Sequence, residues 1–282
     1  MRVLLLGKKG LLGQEIVQVF NDSKHEFFAL GHDEIDITDH QKTNETIKDI
    51  KPQIVINAAA FTYVDECEVK KNFVMQVNGY ANENLARMCQ NLNAHLVFLS
   101  TDYVFNGQKQ EGYKEDDDPS PVNVYGESKL LGEKLIQQNT DKFYIIRTSW
   151  LFGMHGRNFV KTMLETAKNQ NEIKVVDDQF GKPTYSVDLA KSIFEFLNNG
   201  YVKSLPKSGI YHLVNENTTS WYEFAKKIFR VKGLNNKIIP VSSDEMKRPA
   251  KRPMHSVLLN TKLPLMRNHE EALRDYLLTI DI

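Results

Sequence analysis

Tyr125 and Lys129 stand four residues apart in the run VYGESK, in a segment typical of the start of a surface helix. Side chains with this spacing share one helix face, so the phenol and the ammonium group would be neighbours. An ammonium group favours the phenolate and lowers the pKa of tyrosine from about 10. Such a tyrosine can protonate a carbonyl oxygen, whereas a merely solvated pair would have no chemical role. The elements upstream decide between these alternatives.

The first half of the chain alternates short apolar runs with longer amphipathic ones, which predicts βαβ units and a parallel sheet. The predicted strands are residues 2–6, 26–30, 53–57, 95–100 and 143–148. The predicted helices lie between them, at about 11–21, 40–50, 72–92 and 124–139. We therefore predict an α/β fold with a doubly wound parallel sheet, as in Rossmann domains.

The second half is less regular. Its predicted elements are helices at 158–170, 186–199 and 220–233 and a strand at 209–215. Ser220 is a predicted N-cap with Glu223 as its capping-box partner, and Gly233 ends that helix. The region 240–264 is rich in proline and basic residues and is predicted to be an ordered loop.

We place the domain boundary near residue 150. Residues 1–150 would form the sheet domain, and residues 151–282 would form mainly a smaller lobe. Some segments of the second half are expected to return to the first domain.

The run GKKGLLG contains Gly7, Gly10 and Gly13 and follows a predicted strand at the start of a predicted helix. Glycines there allow a tight turn, close approach of backbone N–H groups to a pyrophosphate, and close helix–sheet packing. The helix N-terminus adds a partial positive charge. The context favours a dinucleotide site over a ligand-free turn.

Two sets of charged residues bear on the choice of dinucleotide. Lys8 and Lys9 lie in the glycine turn and could meet a ribose 2′-phosphate, as in NADP, or could face solvent. Asp33, Glu34 or Asp36, near the end of the second strand, could accept a hydrogen bond from a ribose hydroxyl, as in NAD. Because these signals conflict, we predict use of both cofactors or weak discrimination.

Small and hydroxyl-bearing residues follow the third and fourth predicted strands, where open parallel sheets bind ligands. In NAAAFTYVDECE three alanines would let a flat cofactor lie near the backbone, and Thr62 could bond a phosphate or ribose. In STDYVFNG, Ser100, Thr101 and Asp102 would lie beside the nicotinamide. A turn-capping role for the STD run is the stronger alternative from these residues alone.

Composition excludes some classes of function. Lysine plus arginine and aspartate plus glutamate both number 36, so no net charge would recruit nucleic acid or an anionic membrane. No apolar run approaches the length of a membrane span. The two cysteines, Cys67 and Cys89, lack metal or redox spacing, which fits a reduced cytoplasmic location.

Motifs along nearly the whole chain resemble the extended short-chain dehydrogenase/reductase superfamily and, within it, the dTDP-4-dehydrorhamnose reductases. The motifs that carry this resemblance are GKKGLLG, VINAAAFTYVDECE, STDYVFNG, PVNVYGESKLLGE, RTSWLFG, NFVKTM, VVDDQFGKPT and RPAKRP. The resemblance implies NADPH- or NADH-dependent reduction of the 4-keto group of a nucleotide sugar, dTDP-4-dehydro-L-rhamnose.

The resemblance also implies roles for single residues. Tyr125 would be the proton donor, Lys129 its partner on the cofactor ribose, and Thr101 a hydrogen-bond partner of the reacting oxygen. Asp102 would contact the sugar. The implied cofactor contacts are Gly10, Leu11 and Leu12 at the pyrophosphate, Asp36 and Ile37 at the adenine, and Ala60, Phe61 and Thr62 further along.

On the substrate side, Trp150 would pack against the sugar or nucleotide, although a core aromatic is the stronger alternative from sequence alone. Arg248 and Arg252 would bind a diphosphate or remain surface charges. The resemblance further implies Mg²⁺ held by glutamates at a homodimer contact. Glu15 matches one such position, but a solvated helix glutamate is the favoured interpretation.

Two rival functions remain open at this point. A non-catalytic regulatory or binding subunit can be built on the same scaffold. A reductase or epimerase of another nucleotide sugar would keep the fold and the catalytic set and would differ only in the C-terminal lobe.

Overall fold

The computed structural model describes residues 1–198 and 206–280. Its centre is a six-stranded, wholly parallel sheet with the strand order β2-β1-β3-β4-β5-β10. These strands are β1 Arg2–Leu6, β2 Glu26–Leu30, β3 Ile54–Asn57, β4 His95–Thr101, β5 Phe143–Thr148 and β10 Gly209–His212. The chain reverses direction across the sheet between β2 and β3, so a ligand crevice is expected beyond the carboxyl ends of β1 and β3.

Helices cover both faces of this sheet. They are α1 Leu11–Asn21, α2 His40–Ile50, α3 Val64–Val69, α4 Lys71–Val74, α5 Ala81–Asn91, α6 Val124–Asn139 and α8 Ser186–Asn198. One apolar core lies between the sheet and α1 with α8, and a second lies between the sheet and α2, α5 and α6. Because strands such as β1 are buried on both faces, they are continuous apolar runs in sequence.

The elements predicted for the first half are confirmed, with most boundaries matching to the residue. The predicted helix 72–92 differs in that a π-helical stretch, Met75–Tyr80, separates α4 from α5. A 3₁₀ turn, Asp102–Val104, follows β4 directly. The last residue of the predicted helix 186–199 lies outside the described residues.

The second half contains an apolar core of its own and also adds elements to the sheet domain. Its elements are β6 Leu151–Phe152, α7 Phe159–Asn169, β7 Glu172–Val176, β8 Phe180–Gly181, β9 Thr184–Tyr185, β11 Thr219–Ser220, α9 Trp221–Lys232, β12 Lys237–Val241, α10 Ser243–Met246 and α11 His269–Leu278. Ser220 caps α9 by accepting a hydrogen bond from the Glu223 amide, and Gly233 ends this helix in the left-handed region. The Glu223 carboxylate pairs with Lys226.

The prediction of a loop over 240–264 is wrong at its start. Residues Lys237–Val241 form β12, which pairs in parallel with β7, and a capping box between Ser242 and Glu245 begins α10. This strand contains Pro240, which is tolerated because the sheet has only two strands and both are at its edges. The proline is the reason that the sequence pattern predicted a loop here. In the described residues, no helix is long and apolar enough to cross a membrane.

Candidate active site

The glycine turn joins β1 to α1 and leaves the helix N-terminus open. Gly7 has φ of +90°, and a Cβ there would lie 2.6 Å from the Ala59 nitrogen. A Cβ on Gly13 would lie 2.1 Å from the Gly7 oxygen, so only glycine lets α1 approach the turn. Gly10 is the N-cap of α1 without a side-chain cap, and it lines the crevice with Leu11 and Leu12. The Gly10 N–H donates to the Gly7 oxygen at 3.1 Å, so the N–H groups of Leu11 and Leu12 at the helix start are the ones that fit the pyrophosphate of a dinucleotide.

Two adjoining cavities extend from this turn and share Gly10, Ala58 and Ala60. The first, of about 350 Å³, has a wall that includes Gly7, Asp36, Ile37, Ala60 and Phe61. It has the place and the apolar walls expected for an adenosine. Thr62 lies in the wall of the second cavity instead.

A network of buried asparagines fixes the wall between the two cavities. Asn78, in the π-helical stretch, accepts a hydrogen bond from the Phe61 amide at 2.8 Å and donates to the Phe61 oxygen at 2.9 Å. Its amide group also donates to Ser128 of α6. Asn82 links Asn78 to Asn57 at the end of β3. Sequence reasoning missed this network because its members are spread over three separate elements of the chain.

The second cavity, of about 400 Å³, brings together the predicted catalytic residues. Thr101, Asp102, Tyr125, Lys129 and Trp150 all line it. Asn123 caps α6 by accepting a hydrogen bond from the Gly126 amide, so the helix begins just before Tyr125. The cavity opens beside Gly10, which places these side chains next to the cofactor crevice.

The phenol of Tyr125 and the ammonium group of Lys129 differ from the simple pair expected from sequence. Burial raises the pKa of Tyr125 above its ordinary value, and a hydrogen bond with Thr101 opposes that rise. Lys129 lies with Nζ 4.0 Å from the centre of the Phe98 ring. Burial lowers the pKa of Lys129 to about 7. In the protein without ligands, desolvation therefore shifts the pKa of each group more than the neighbouring phenol or ammonium group does.

Thr101 caps a turn, and both Thr101 and Asp102 line the second cavity. The Thr101 hydroxyl accepts a hydrogen bond from the Tyr103 amide, so it caps the 3₁₀ turn as the alternative interpretation expected. The same hydroxyl donates to Asp102 Oδ1 at 3.0 Å. Asp102 Oδ2 has no partner among the described residues, and burial raises the pKa of Asp102 to about 7.

Trp150 is both a packed aromatic and a cavity wall. Its backbone has φ of +48°, a left-handed conformation that costs a tryptophan about 1–3 kcal/mol. The indole stacks on Trp221 with ring centroids 3.5 Å apart and lies against Gly181, where a Cβ would meet it at 2.5 Å. Trp221 and Arg157 also line the cavity and were not identified from sequence. No local pattern marks either of them.

The two arginines of RPAKRP occupy different environments, and neither lines either cavity. Arg252 forms a bidentate pair with Asp65, at 2.6 and 2.8 Å, which occupies the fork that was expected to bind a diphosphate. Arg248 is exposed, and the described residues offer it no ion-pair partner.

Glu15 is not the solvated helix residue expected from sequence. It is 3% exposed, accepts a hydrogen bond from Ser186 at 3.3 Å, and lies 3.9 Å from His155. The packing of α1 against α8 turns this side chain inward, so it does not present a carboxylate to a partner subunit. The described residues contain no group of three or more His, Cys, Asp or Glu side chains that could hold a metal ion. Mg²⁺ binding through Glu15 is therefore unsupported.

The lysines and acidic residues that gave conflicting cofactor signals bind one another. Lys8 pairs with Glu34 at 2.6 Å, and Lys9 pairs with Asp33 at 2.9 Å. Lys9 and His32 lie in the wall of the first cavity. The Asp36 carboxylate accepts hydrogen bonds from Thr38, which fixes it at the same wall.

Comparisons with known proteins identify the family of this chain. The family model described as the RmlD substrate binding domain matches residues 1–280. The spore coat polysaccharide biosynthesis protein SpsK of Bacillus subtilis is 39% identical over 98% of this chain and 96% of its own. The dTDP-4-dehydrorhamnose reductase of Aggregatibacter actinomycetemcomitans is 40% identical over 93% and 92%.

Solved structures give the same result. The dTDP-4-dehydrorhamnose reductase of Bacillus anthracis in complex with NADP superposes with a TM-score of 0.93 at 36% identity, covering 99% of both chains. The UDP-glucose 4-epimerase of Thermus thermophilus, at 19% identity and a TM-score of 0.77, shares the fold alone. The chain belongs to the RmlD substrate binding domain family, together with the dTDP-4-dehydrorhamnose reductases.

Proposed function

We propose that this protein reduces the 4-keto group of dTDP-4-dehydro-L-rhamnose with NADPH or NADH to give dTDP-L-rhamnose. The observation that carries the proposal is the meeting of Tyr125, Lys129 and Thr101 in one cavity that adjoins an open glycine turn. A phenol, a hydroxyl and an ammonium group around one space are the groups that a ketone needs when it accepts a hydride and a proton.

The glycine turn and Lys129 would hold the nicotinamide cofactor, which would supply the hydride that C4 of the sugar accepts. Tyr125 donates its phenolic proton to the oxygen that becomes the alcohol. The Thr101 hydroxyl, which donates to Asp102 in the protein alone, would turn to donate its one hydrogen bond to the same oxygen. Lys129 bonds the cofactor ribose and stabilises the phenolate that remains. The raised pKa of Tyr125 keeps it protonated before the reaction, as a proton donor requires.

The C-terminal side of the cavity is proposed to bind the nucleotide sugar. The stacked indoles of Trp150 and Trp221 offer a flat apolar wall, and Asp102 offers a carboxyl oxygen that has no partner among the described residues. Arg157 and Arg248 are the cations proposed for the diphosphate. Arg252 is proposed to act indirectly, because its pair with Asp65 anchors the 248–252 loop to α3.

The domain organisation is also proposed from these contacts. Residues 1–150 would bind the dinucleotide, and the remainder would bind mainly the nucleotide sugar. Helix α8 and strand β10 belong structurally to the first unit, since β10 pairs with β5 and α8 packs in its core.

For the cofactor we propose weak discrimination. The pairs Lys8–Glu34 and Lys9–Asp33 leave both a cation and an anion near the expected adenosine ribose. A 2′-phosphate could displace the carboxylates from the lysines, and a 2′-hydroxyl could bond the carboxylates instead.

A relative favours a second candidate function, reduction of another dTDP 4-keto sugar. The dTDP-4-keto-6-deoxy-D-glucose reductase of Streptomyces niveus is 34% identical over 91% of this chain. The fold and the catalytic set would be the same for either sugar.

The test is a panel of nucleotide 4-keto sugars assayed by oxidation of NADPH and of NADH, followed at the nicotinamide absorbance. We expect the highest kcat/KM with dTDP-4-dehydro-L-rhamnose. A higher value for another sugar would support the second candidate. Tight cofactor binding without turnover on any sugar would contradict both and favour a regulatory subunit.

A further inference from the structure

Glu133 is a fully buried carboxylate one helical turn beyond Lys129 on α6. Its Oε2 accepts a hydrogen bond from Arg147 Nη2 at 2.6 Å, and its Oε1 accepts from Arg147 Nε at 2.9 Å. Oε1 also accepts a hydrogen bond from the Ser100 hydroxyl. The side chains of Glu133 and Arg147 are each 1% exposed.

These contacts join helix α6 to the strands β4 and β5. Ser100 directly precedes Thr101 on β4, and Arg147 lies on β5 three residues before Trp150. Helix α6 carries Tyr125 and Lys129. The Glu133 carboxylate is therefore bonded to both neighbouring strands, and its position fixes the distance of α6 from their carboxyl ends.

The ammonium group of Lys129 lies on the same helix, one turn before this carboxylate. It rests on the Phe98 ring, with Nζ 4.0 Å from the ring centre. Burial lowers the pKa of Lys129 to about 7, and the charge of Glu133 opposes that effect. The other charged or titratable groups that line the cavity with Lys129 are Tyr125 of α6, Asp102 and Tyr103 after β4, and Arg157, and Arg147 of β5 pairs with Glu133.

We propose that Glu133 is a positioning residue that keeps Lys129 cationic and aligned beneath the proton donor. This inference rests on the proposed function, because a cationic Lys129 matters where it stabilises the phenolate of Tyr125. Glu133 itself lines neither cavity, so it acts through Lys129 and not on the substrate.

A purely structural role for the Glu133–Arg147 pair predicts a different result. If the pair only stabilises the fold, its loss lowers the amount of active protein equally at every pH. If Glu133 sustains the charge of Lys129, its loss lowers the pKa of Lys129 and the alkaline limit of activity together.

The experiment compares wild type with Glu133→Gln by two measurements. The first is NMR of lysine ¹³Cε during a pH titration, with the Lys129 signal assigned from Lys129→Arg. The second is the pH profile of kcat/KM for keto-sugar reduction. We expect both the Lys129 titration and the alkaline limb to move about one pH unit or more downward, the scale for loss of an opposite charge nearby. Glu127→Gln, on an exposed turn of α6, is the matched control and should move neither.

A second variant covers the case in which Glu133→Gln leaves Arg147 unpaired and does not fold. The double variant Glu133→Gln with Arg147→Met leaves no unpaired buried charge, and Lys129 should still titrate below its wild-type value. An unchanged titration of Lys129 in the folded variant overturns the proposal. Lack of turnover by wild type would instead count against the proposed function, because the NMR titration does not depend on turnover.

Discussion

At the scale of single residues, burial governs the titration of the site. The pKa values of Lys129 and Asp102 are both shifted to about 7, from opposite directions, because each charged form loses hydration in the cavity wall. Both groups can therefore change charge near neutral pH. In the proposed mechanism, a bound sugar would supply the partner that Asp102 Oδ2 lacks among the described residues.

Replacement of Tyr125 by phenylalanine tests the proton donor. We expect Tyr125→Phe to lose turnover by ~10²-fold or more, the usual scale for loss of a general acid. NADPH binding, measured by nicotinamide fluorescence, should be retained because the glycine turn and Lys129 are unchanged. Turnover at the wild-type rate in this variant would show that another group protonates the product.

Replacement of Lys129 by methionine tests the cost of burying the ammonium group. The folded protein holds Lys129 at a pKa of about 7, against an ordinary value of 10.5, so the unfolded chain binds more protons between these pH values. Stability therefore rises with pH across that window, and the penalty is complete below it.

Lys129→Met should remove this penalty and raise the free energy of unfolding by about 2 kcal/mol or more below pH 7, because one pKa unit corresponds to about 1.4 kcal/mol. The gain should shrink as the pH approaches 10. Urea unfolding at several pH values measures it, with Lys134→Met, an exposed lysine of the same helix, as the control. A Lys129→Met protein less stable than wild type at pH 6 would contradict this account.

At the scale of elements, the site depends on close approaches that only glycine permits. Gly13 lets α1 reach the backbone of the glycine turn, whereas a Cβ added at Gly10 would meet only the Gly7 oxygen, at 3.4 Å. Replacement of Gly13 is therefore expected to lower stability, whereas replacement of Gly10 is expected to weaken ligand binding.

Gly13→Ala should destabilise the fold by about 1–3 kcal/mol, the usual scale for overpacking. Gly10→Ala should fold normally and lose affinity for NADPH, because its methyl group occupies the space of the pyrophosphate. Thermal unfolding and fluorescence titration measure the two effects. Normal NADPH affinity in Gly10→Ala would show that the dinucleotide does not bind at this turn.

The contact between the glycine turn and the end of β2 is proposed to influence the choice of cofactor. Replacing Asp33 by asparagine and Glu34 by glutamine frees Lys8 and Lys9 from their present partners. We expect kcat/KM for NADPH to rise about 3- to 10-fold relative to NADH, less at high salt because exposed charges are screened. Glu66→Gln, which breaks the exposed pair with Lys70, is the control. An unchanged ratio would place the 2′-phosphate away from these lysines.

At the scale of the whole molecule, segments from the second half of the chain complete the sheet domain. Strand β10 and helix α8 come after the first elements of the smaller lobe, yet they complete the sheet and its core. The buried side chains that α8 contributes are Leu189, Ala190, Ile193, Phe196 and Leu197. The first 150 residues thus lack one edge strand and one covering helix.

A fragment of residues 1–150 should therefore not fold cooperatively. Without α8, the apolar face of the sheet beside α1 is exposed to water. The free energy lost with this burial exceeds the small net free energy of unfolding of a typical domain. Urea unfolding followed by circular dichroism should give a broad transition for the fragment and a sharp one for the full chain. A sharp transition for the fragment would show that the sheet domain is independent of the second half.

The amino-acid sequence by itself determined the main elements of the sheet domain, the glycine turn and the Tyr125–Lys129 spacing. These features depend on local periodicity and on glycine geometry, which act over a few residues. Only the tertiary structure decided which side chains lack partners and which are paired. It paired Arg252 with Asp65, buried Glu15 against Ser186, and supplied Arg147 as the counter-ion of Glu133. Contacts between distant segments, and the desolvation that they cause, leave no periodic mark in the chain.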